Sequence, residues 1–235
     1  HPPPLGGVDM VYSCRRKTYI FMKIGHFSDL HGQYEILGKI PNESLPDVWL
    51  NTGDFFPNFV YDDRARDAER QVIWFKHKFD SIAARLRGRP LLSVDGNHDF
   101  VRLGSLMAGK GYFAKNITPE GLVFNGVKFA GFHEIPFIGG YWNGEIQQDD
   151  FGPIVDKTFE FKPDILVTHA PPSGILDAGF YSGGSTKLTS KLTNNTEPNP
   201  RFHFFGHIHE CSGRRIELMG TTFVNSACCV QIVEC

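Results

Sequence analysis

The chain has 235 residues, 41% of them hydrophobic and 21% charged, with a formal net charge of −2. That length buries a sizeable core in one domain, and the near-neutral balance excludes the broad basic field that strong non-specific nucleic-acid binding needs. No apolar run approaches the ~20 residues that span a bilayer, so no membrane association is expected. Residues 1–17 read as an N-terminal extension whose start, His1-Pro2-Pro3-Pro4-Leu5-Gly6-Gly7, looks like an expression scar, with Met10 or Met22 as candidate natural starts. Residues 18–235 read as a single domain. Tyr19 to Phe27 is β-rich and ends at Ser28-Asp29. Gln33 to Lys39 reads as a short helix and Val48-Trp49-Leu50 as a short strand closed by Asn51-Thr52-Gly53.

Arg64 to Arg87 is the clearest helix, because Val72, Phe75, Phe79, Ile82, Ala83 and Leu86 fall on one face at three-four spacing. Asp62 or Asp63 can cap its start and Gly88 can stop it. Arg64, Arg66, Lys76 and Lys78 read as a solvated face of that helix. Pro90 to Val94 is a further strand. Asn125-Gly126 between Leu122-Phe124 and Val127-Ala130 signals a two-residue hairpin. Ile165-Val167 and Phe202-Phe205 are strands. Arg214-Leu218 and Thr221-Asn225 flank a second hairpin turn at Met219-Gly220, and Val230-Val233 reads as a last edge strand. The long loops Phe55 to Asp63, His133 to Asp150 and Ser173 to Ser185 are candidate walls of a substrate cleft.

Five short polar clusters follow these strands: Asp29-Leu30-His31, Gly53-Asp54, Gly96-Asn97-His98-Asp99, Thr168-His169 and Gly206-His207-Ile208-His209. Polar residues at the C-terminal ends of parallel strands converge on one rim of the sheet, where α/β folds bind ligands. Asp29 and His31 alternate around Leu30, and His207 and His209 around Ile208, so each pair leaves one face of an extended segment. The two oxygens of Asp54 can bridge two cations, Asn97 offers a neutral oxygen, and His169 adds an imidazole. Carboxylates, imidazoles and an amide suit borderline divalent metals. Each cluster alone has a plainer explanation: Gly-Asp is a turn signal, and Gly96-Asp99 can cap a helix running to Leu106. His26 and His203 read as structural and His77 as exposed, while His133, Tyr141, Trp142, Phe180 and Tyr181 lie in or beside the candidate cleft loops.

In this order the clusters resemble the calcineurin-like metallophosphoesterase superfamily, whose motifs are D-x-H, G-D, G-N-H-[DE], a lone His and G-H-x-H. The resemblance implies an α/β fold, a four-layer α-β-β-α sandwich of two mixed β-sheets flanked by helices. It implies that Asp29, His31 and His209 hold one metal, that Asn97, His169 and His207 hold another, that Asp54 bridges them, and that His98 is catalytic. The implied cofactors are two divalent metal ions, Mn2+ first, with Fe or Zn2+ as alternatives. Gly53-Asp54-Phe55, Asp164-Pro172 and Asn225-Ser226-Ala227 are similar to a phosphodiesterase branch that includes class III cyclic nucleotide phosphodiesterases and animal metallophosphoesterase-domain proteins. The function this implies is hydrolysis of small phosphodiesters, cyclic nucleotides (2′,3′ or 3′,5′) foremost, by in-line attack of a metal-bridging hydroxide. A nuclease or a phosphomonoesterase is the alternative, and a non-catalytic interaction module is a third reading that the complete ligand set disfavours. The partner is thus a small phosphodiester or nucleotide. Protein Ser/Thr phosphatases of the superfamily carry an acid where this chain has Pro57, so the orienting partner of His98 stays open, with Asp99 a candidate by adjacency.

Cys14, Cys211, Cys228, Cys229 and Cys235 have neither zinc-ribbon nor redox-dithiol spacing. They read as reduced thiols in a cytoplasmic protein. With no secretory signal visible, the Asn-x-Ser/Thr sequons at Asn42, Asn116 and Asn194 read as chance matches.

Overall fold

Alternation along the short apolar strands feeds two separate cores at once, and this builds the layers. The computed structural model of the protein describes residues 21–59, 63–179 and 183–235. The extension 1–17, Cys14, Asp62, Phe180 and Tyr181 lie outside the described residues. The strands are β1 Lys23–Ser28, β2 Val48–Thr52, β3 Leu91–Val94, β4 Ala114–Asn116, β5 Leu122–Phe124, β6 Val127–Phe132, β7 Ile135–Pro136, β8 Glu145–Ile146, β9 Ile165–Thr168, β10 Phe202–Phe205, β11 Arg215–Leu218, β12 Thr221–Asn225 and β13 Cys229–Glu234. The helices are α1 Arg64–Leu86, α2 Leu103–Gly109, α3 Phe151–Glu160 and α4 Thr186–Asn194. One sheet has the order β13-β1-β2-β3-β4 and the other β11-β12-β10-β9-β6-β5. In each, an antiparallel edge strand or hairpin accompanies a parallel centre.

Ile24, Val48, Leu50 and Leu92 of the first sheet meet Ile165, Val167, Phe204 and Val224 of the second in a central core. The residues between them point the other way. Phe27, Trp49 and Leu91 pack under Phe75, Ile82 and Leu86 of α1 and Leu103 and Met107 of α2. Leu166, Phe205 and Phe223 pack under Phe151 and Val155 of α3 and Leu188 and Leu192 of α4. The result is four layers, helix, sheet, sheet, helix, as the motif order implies. Polar pins join the sheets near the rim. His26, buried in β1, is hydrogen-bonded to Thr52 Oγ1 (2.9 Å) and to Ser226 Oγ (2.7 Å). Burial pushes its imidazole down to about 3, so it serves as a neutral link. Within the second sheet, His203 is also buried and bonded to Thr168 Oγ1 (2.8 Å).

The long helix starts where Asp63 accepts the Arg66 N–H (3.0 Å). It ends one residue before the expected stop, because Arg87 itself turns left-handed (φ 51°) ahead of Gly88. Both Asn125-Gly126 and Met219-Gly220 have positive φ at the two central positions, the type I′ geometry expected for hairpins. The 133–150 segment departs from expectation. It is no featureless loop, since β7 and β8 pair within it in parallel. The helix expected after Gly96-Asp99 begins only at Leu103, with Arg102 as its cap residue, so the motif caps nothing.

Candidate metal centre

The parallel strands β1, β2, β3, β9 and β10 each end at one rim, and each delivers one of the sequence clusters there. Asp29 and His31 follow β1, Asp54 follows β2, Asn97 and His98 follow β3, His169 follows β9, and His207 and His209 follow β10. The way they converge differs from the expected extended alternation. Asp29 (φ 54°), His31 (φ 44°), Asp54 (φ 53°) and His207 (φ 65°) all sit in the left-handed region. A side chain there costs roughly 1–3 kcal/mol, and such residues gather at functional sites. Backbone hydrogen bonds between the motifs hold the turns: Asp29 N–H to Gly53 O (2.9 Å) and His31 N–H to Asp54 O (3.0 Å).

Asp54 is the hub. Its Oδ1 accepts the His98 N–H (2.7 Å). Its Oδ2 lies 3.5 Å from His169 Nε2 and 3.9 Å from both His31 Nε2 and His98 Nε2. The carboxylate therefore presents Oδ2 to the site while Oδ1 is already tied to a loop amide, a division its position after Gly53 could not reveal. Asp29 is similarly split, accepting the His207 N–H at Oδ2 (2.9 Å) and meeting His209 Nε2 at Oδ1 (3.2 Å). His169 donates from Nδ1 to Thr52 O (2.7 Å), which fixes its tautomer and aims Nε2 at Asn97 Oδ1 (2.9 Å). The ring of His207 lies 5.0 Å from that of His169.

The site carboxylates come too close to two loop positions for anything larger than glycine there. A Cβ at Gly96 would stand 2.1 Å from Asp54 Oδ1, and one at Gly206 would stand 2.2 Å from Asp29 Oδ2.

Charge explains what this constellation can hold. Burial alone would raise the carboxyls of Asp29 and Asp54, yet the surrounding imidazoles hold both below the usual carboxylate range. Burial opposes a charge on His169, but the Asp54 and Asp29 carboxylates outweigh it and lift the imidazole to about 9. A hydrogen bond to Asp29 lifts His209 to about 10. Two buried carboxylates thus draw positive charge onto their neighbours. Three sets, Asp29-His31-His209, His31-Asp54-His98 and Asp29-Asp54-His169, each bring their ligand atoms within 4.8 Å of one another. His31 Nδ1 is buried without a hydrogen-bond partner. The donor set as a whole fits a divalent cation, since buried carboxylates and the Nε2 atoms of His31, His98 and His169 converge at Asp54 Oδ2.

Sequence reasoning missed a supporting shell. Asp99 does not orient His98. Its carboxyl accepts N–H groups from Phe55 (3.0 Å), Phe56 (3.2 Å) and Gly96 (2.9 Å), locking two motifs together. Burial, then the nearby Asp54 and Asp95, push that carboxyl well above its ordinary range. Gln71, buried on α1, donates to His98 O (2.6 Å) and accepts the Phe100 N–H (2.8 Å). A buried Gln and Asp67 on the apolar face of a helix were the available signals. Arg64 is not merely solvated, since it donates to the carbonyls of Gly140 (2.6 Å), Tyr141 and Trp142 (3.2 Å). His77 is exposed, and His133 is half-buried beside Glu134 (3.7 Å).

A cleft of about 540 Å3 opens at the centre, lined by Asp29, His31, His209, Gln33, Lys39 and Asn58. A larger groove of about 620 Å3 near Lys162 and Arg201 contains none of the converging residues. Cys211, Cys228, Cys229 and Cys235 are free thiols. Among the described residues no helix is long and apolar enough to cross a membrane.

Fold and site together define a metallophosphoesterase, and the chain belongs to the calcineurin-like phosphoesterase family, which it matches over residues 22–211. It is 29% identical over 224 residues to a UPF0046 protein of Caenorhabditis elegans, covering 89% of this chain and 70% of that one. It is 39% identical over 69 residues to the human metallophosphoesterase domain-containing protein 1, a match that covers 28% of this chain and 20% of the human protein. Among solved structures it resembles GAP50, described as the anchor in the inner membrane complex of Plasmodium, with a TM-score of 0.50 and 16% identity over 89% of this chain and 71% of that one. That last likeness is one of fold. Family membership implies a phosphoric ester hydrolase that uses divalent metal.

Proposed function

We propose that the protein is a dinuclear-metal-dependent phosphodiesterase that hydrolyses small phosphodiesters, cyclic nucleotides foremost. Asp54 carries this reading: one buried carboxylate oxygen stands within 3.9 Å of nitrogen atoms on three imidazoles from three separate chain segments. Asp29, His31 and His209 would hold one cation, Asn97, His169 and His207 the other, and Asp54 would serve both. Bound divalent cations supply Lewis-acid activation of water and neutralise the non-bridging phosphate oxygens. The chain supplies the rest. His98 holds a proton at Nε2 for the leaving oxygen. As a new bond from a water oxygen to phosphorus forms and the ester P–O bond breaks, that proton moves to the departing alkoxide. The backbone of the same residue is fixed at both ends, its N–H by Asp54 and its carbonyl by Gln71. A cleft of about 540 Å3 suits a mononucleotide-sized substrate.

The test is a steady-state panel of bis(4-nitrophenyl) phosphate, 2′,3′- and 3′,5′-cyclic nucleotides, nucleoside monophosphates and a short oligonucleotide, on protein loaded with Mn2+. Turnover of cyclic diesters above the others is the expected result. Exclusive turnover of monophosphates would show a phosphomonoesterase, and salt-sensitive cleavage of the oligonucleotide a nuclease.

Metal uptake should depend on pH with a definite sign. In the metal-free protein His169 and His209 hold protons up to about 9 and about 10. Each must lose its proton before ligating a cation, so Mn2+ affinity rises with pH across the range 7–9, by up to about tenfold per pH unit for each proton released. Calorimetric Mn2+ titrations in two buffers of different ionisation enthalpy would read that release directly. Uptake that is independent of pH would speak against these two imidazoles as ligands.

A further inference from the structure

Asp99, the acid adjacent to His98, does not orient its ring, because its oxygens accept backbone amides, and Asp54 Oδ2 stands 3.9 Å from His98 Nε2. An aromatic ring lies against the imidazole. The indole of Trp142 lies 4.3 Å from the imidazole of His98, centroid to centroid, with 37° between the planes. The edge-on ring of His31 contacts the same imidazole at 4.9 Å.

The backbone around Trp142 is held to an unusual degree for a surface loop. Pairing of β7 with β8 closes the segment between them, with Ile135 N–H bonded to Gly144 O and Phe137 N–H to Ile146 O, both at 2.9 Å. Inside it the Glu145 carboxylate accepts the N–H groups of Ile138 (2.7 Å), Gly139 (2.7 Å) and Trp142 (2.9 Å). From outside, Arg64 gathers the three carbonyls of Gly140, Tyr141 and Trp142. The Tyr141 hydroxyl donates to Asp67 of α1 (2.8 Å). Next to the tryptophan, Asn143 donates from its backbone to Asn97 O (3.0 Å) and from its side chain to Asp99 O (2.7 Å). These last two bonds straddle His98 in the chain. The strap is therefore fastened to the motif that carries His98, and it presents one large flat surface to that imidazole.

We propose that Trp142 is the positioning residue for His98. The indole, fastened by its strap, holds the imidazole where its Nε2 can reach the leaving oxygen. Such a device fixes where the ring lies without competing for the proton. Aromatic contacts of this kind also favour a defined ring geometry. A shift of about 1 Å in a catalytic group can cost on the order of 10²-fold in rate. This inference rests on the phosphodiesterase reading above.

The experiment compares two substrates on Mn2+-loaded protein. A 2′,3′-cyclic nucleotide departs as an alkoxide and needs the proton, whereas bis(4-nitrophenyl) phosphate departs as a stabilised phenolate and needs it little. Trp142→Ala is expected to lower kcat on the cyclic nucleotide by about 10–10²-fold, with KM little changed and the nitrophenyl ester turned over within about threefold of wild type. Trp142→Phe should recover most of the loss, and Trp142→Ala should cost nothing further in a His98→Ala background. Bound Mn2+ should stay at the wild-type level throughout. Glu145→Gln, which loosens the strap but leaves the indole, should show the same substrate split to a smaller degree and serves if Trp142→Ala does not fold. Equal losses on both substrates, or additive losses in the double variant, overturn the positioning role and leave the hydrolase intact. Wild-type protein that hydrolyses neither ester overturns the phosphodiesterase reading, and the positioning role with it.

Discussion

Replacing Asp54 by alanine should abolish metal uptake and, with it, turnover of every phosphoester. Three imidazoles face this one carboxylate oxygen, and the other oxygen ties down the His98 amide, so the substitution strikes the charge and the scaffold together. The rate should fall by at least about 10²–10³-fold, the scale for losing one preorganised charge-stabilising group. Asp54→Asn separates the two contributions. The amide keeps an oxygen for the His98 N–H but lacks the full negative charge that draws cations, so it should fold like wild type and still bind metal poorly. Elemental analysis of metal content beside a thermal melt is the relevant pair of measurements. Full metal occupancy in Asp54→Asn would refute the proposed role of this residue as a ligand shared by two cations.

The substitution His98→Ala should leave the metals in place and slow the enzyme by about 10²–10⁴-fold on a ribose-leaving diester, the usual range for removing a general acid. The backbone contacts of residue 98 run through its N–H and carbonyl, which alanine preserves. Loss of the ring thus leaves the loop and Asp54 where they are. The loss should shrink on bis(4-nitrophenyl) phosphate, whose leaving group needs no proton. A loss of the same size on both esters would remove His98 from the role of acid and point instead to phosphate binding. Burial lowers the His98 imidazole from its ordinary value, with Asp54 acting against that shift.

Most of this architecture could be read from the chain because the signals were local and redundant. Asn125-Gly126 and Met219-Gly220 specify their turns within four residues. The strand ends announce themselves through abrupt changes from apolar to polar, as at Phe27-Ser28-Asp29 and Phe205-Gly206-His207. The five clusters keep their order, and an ordered set is far more specific than any member. What escaped was of two kinds. The left-handed turns at Asp29, His31, Asp54 and His207 are imposed by tertiary hydrogen bonds, so period-two reasoning arrived at a shared face by the wrong geometry. The shell around His98 is assembled from Gln71, Asp99, Trp142 and Glu145, residues that meet only when α1, the strap and the third strand end are packed together. Gln71 on the apolar face of α1 was a local signal, but nothing in the sequence shows that these four residues meet. Arg64 shows the same limit, since a guanidinium at the start of a helix reads as solvated until the carbonyls it gathers are known.

The bond from the His207 amide to the Asp29 carboxylate spans 178 positions of the chain. Contacts of such range form late, since the loop they close must first be ordered. While the protein is being synthesised, its earlier half can collapse onto the first sheet with the Asp29 carboxylate still lacking its His207 partner. Activity should then switch on as one of the last events of maturation, and a nascent or partly unfolded chain should be inert rather than promiscuous.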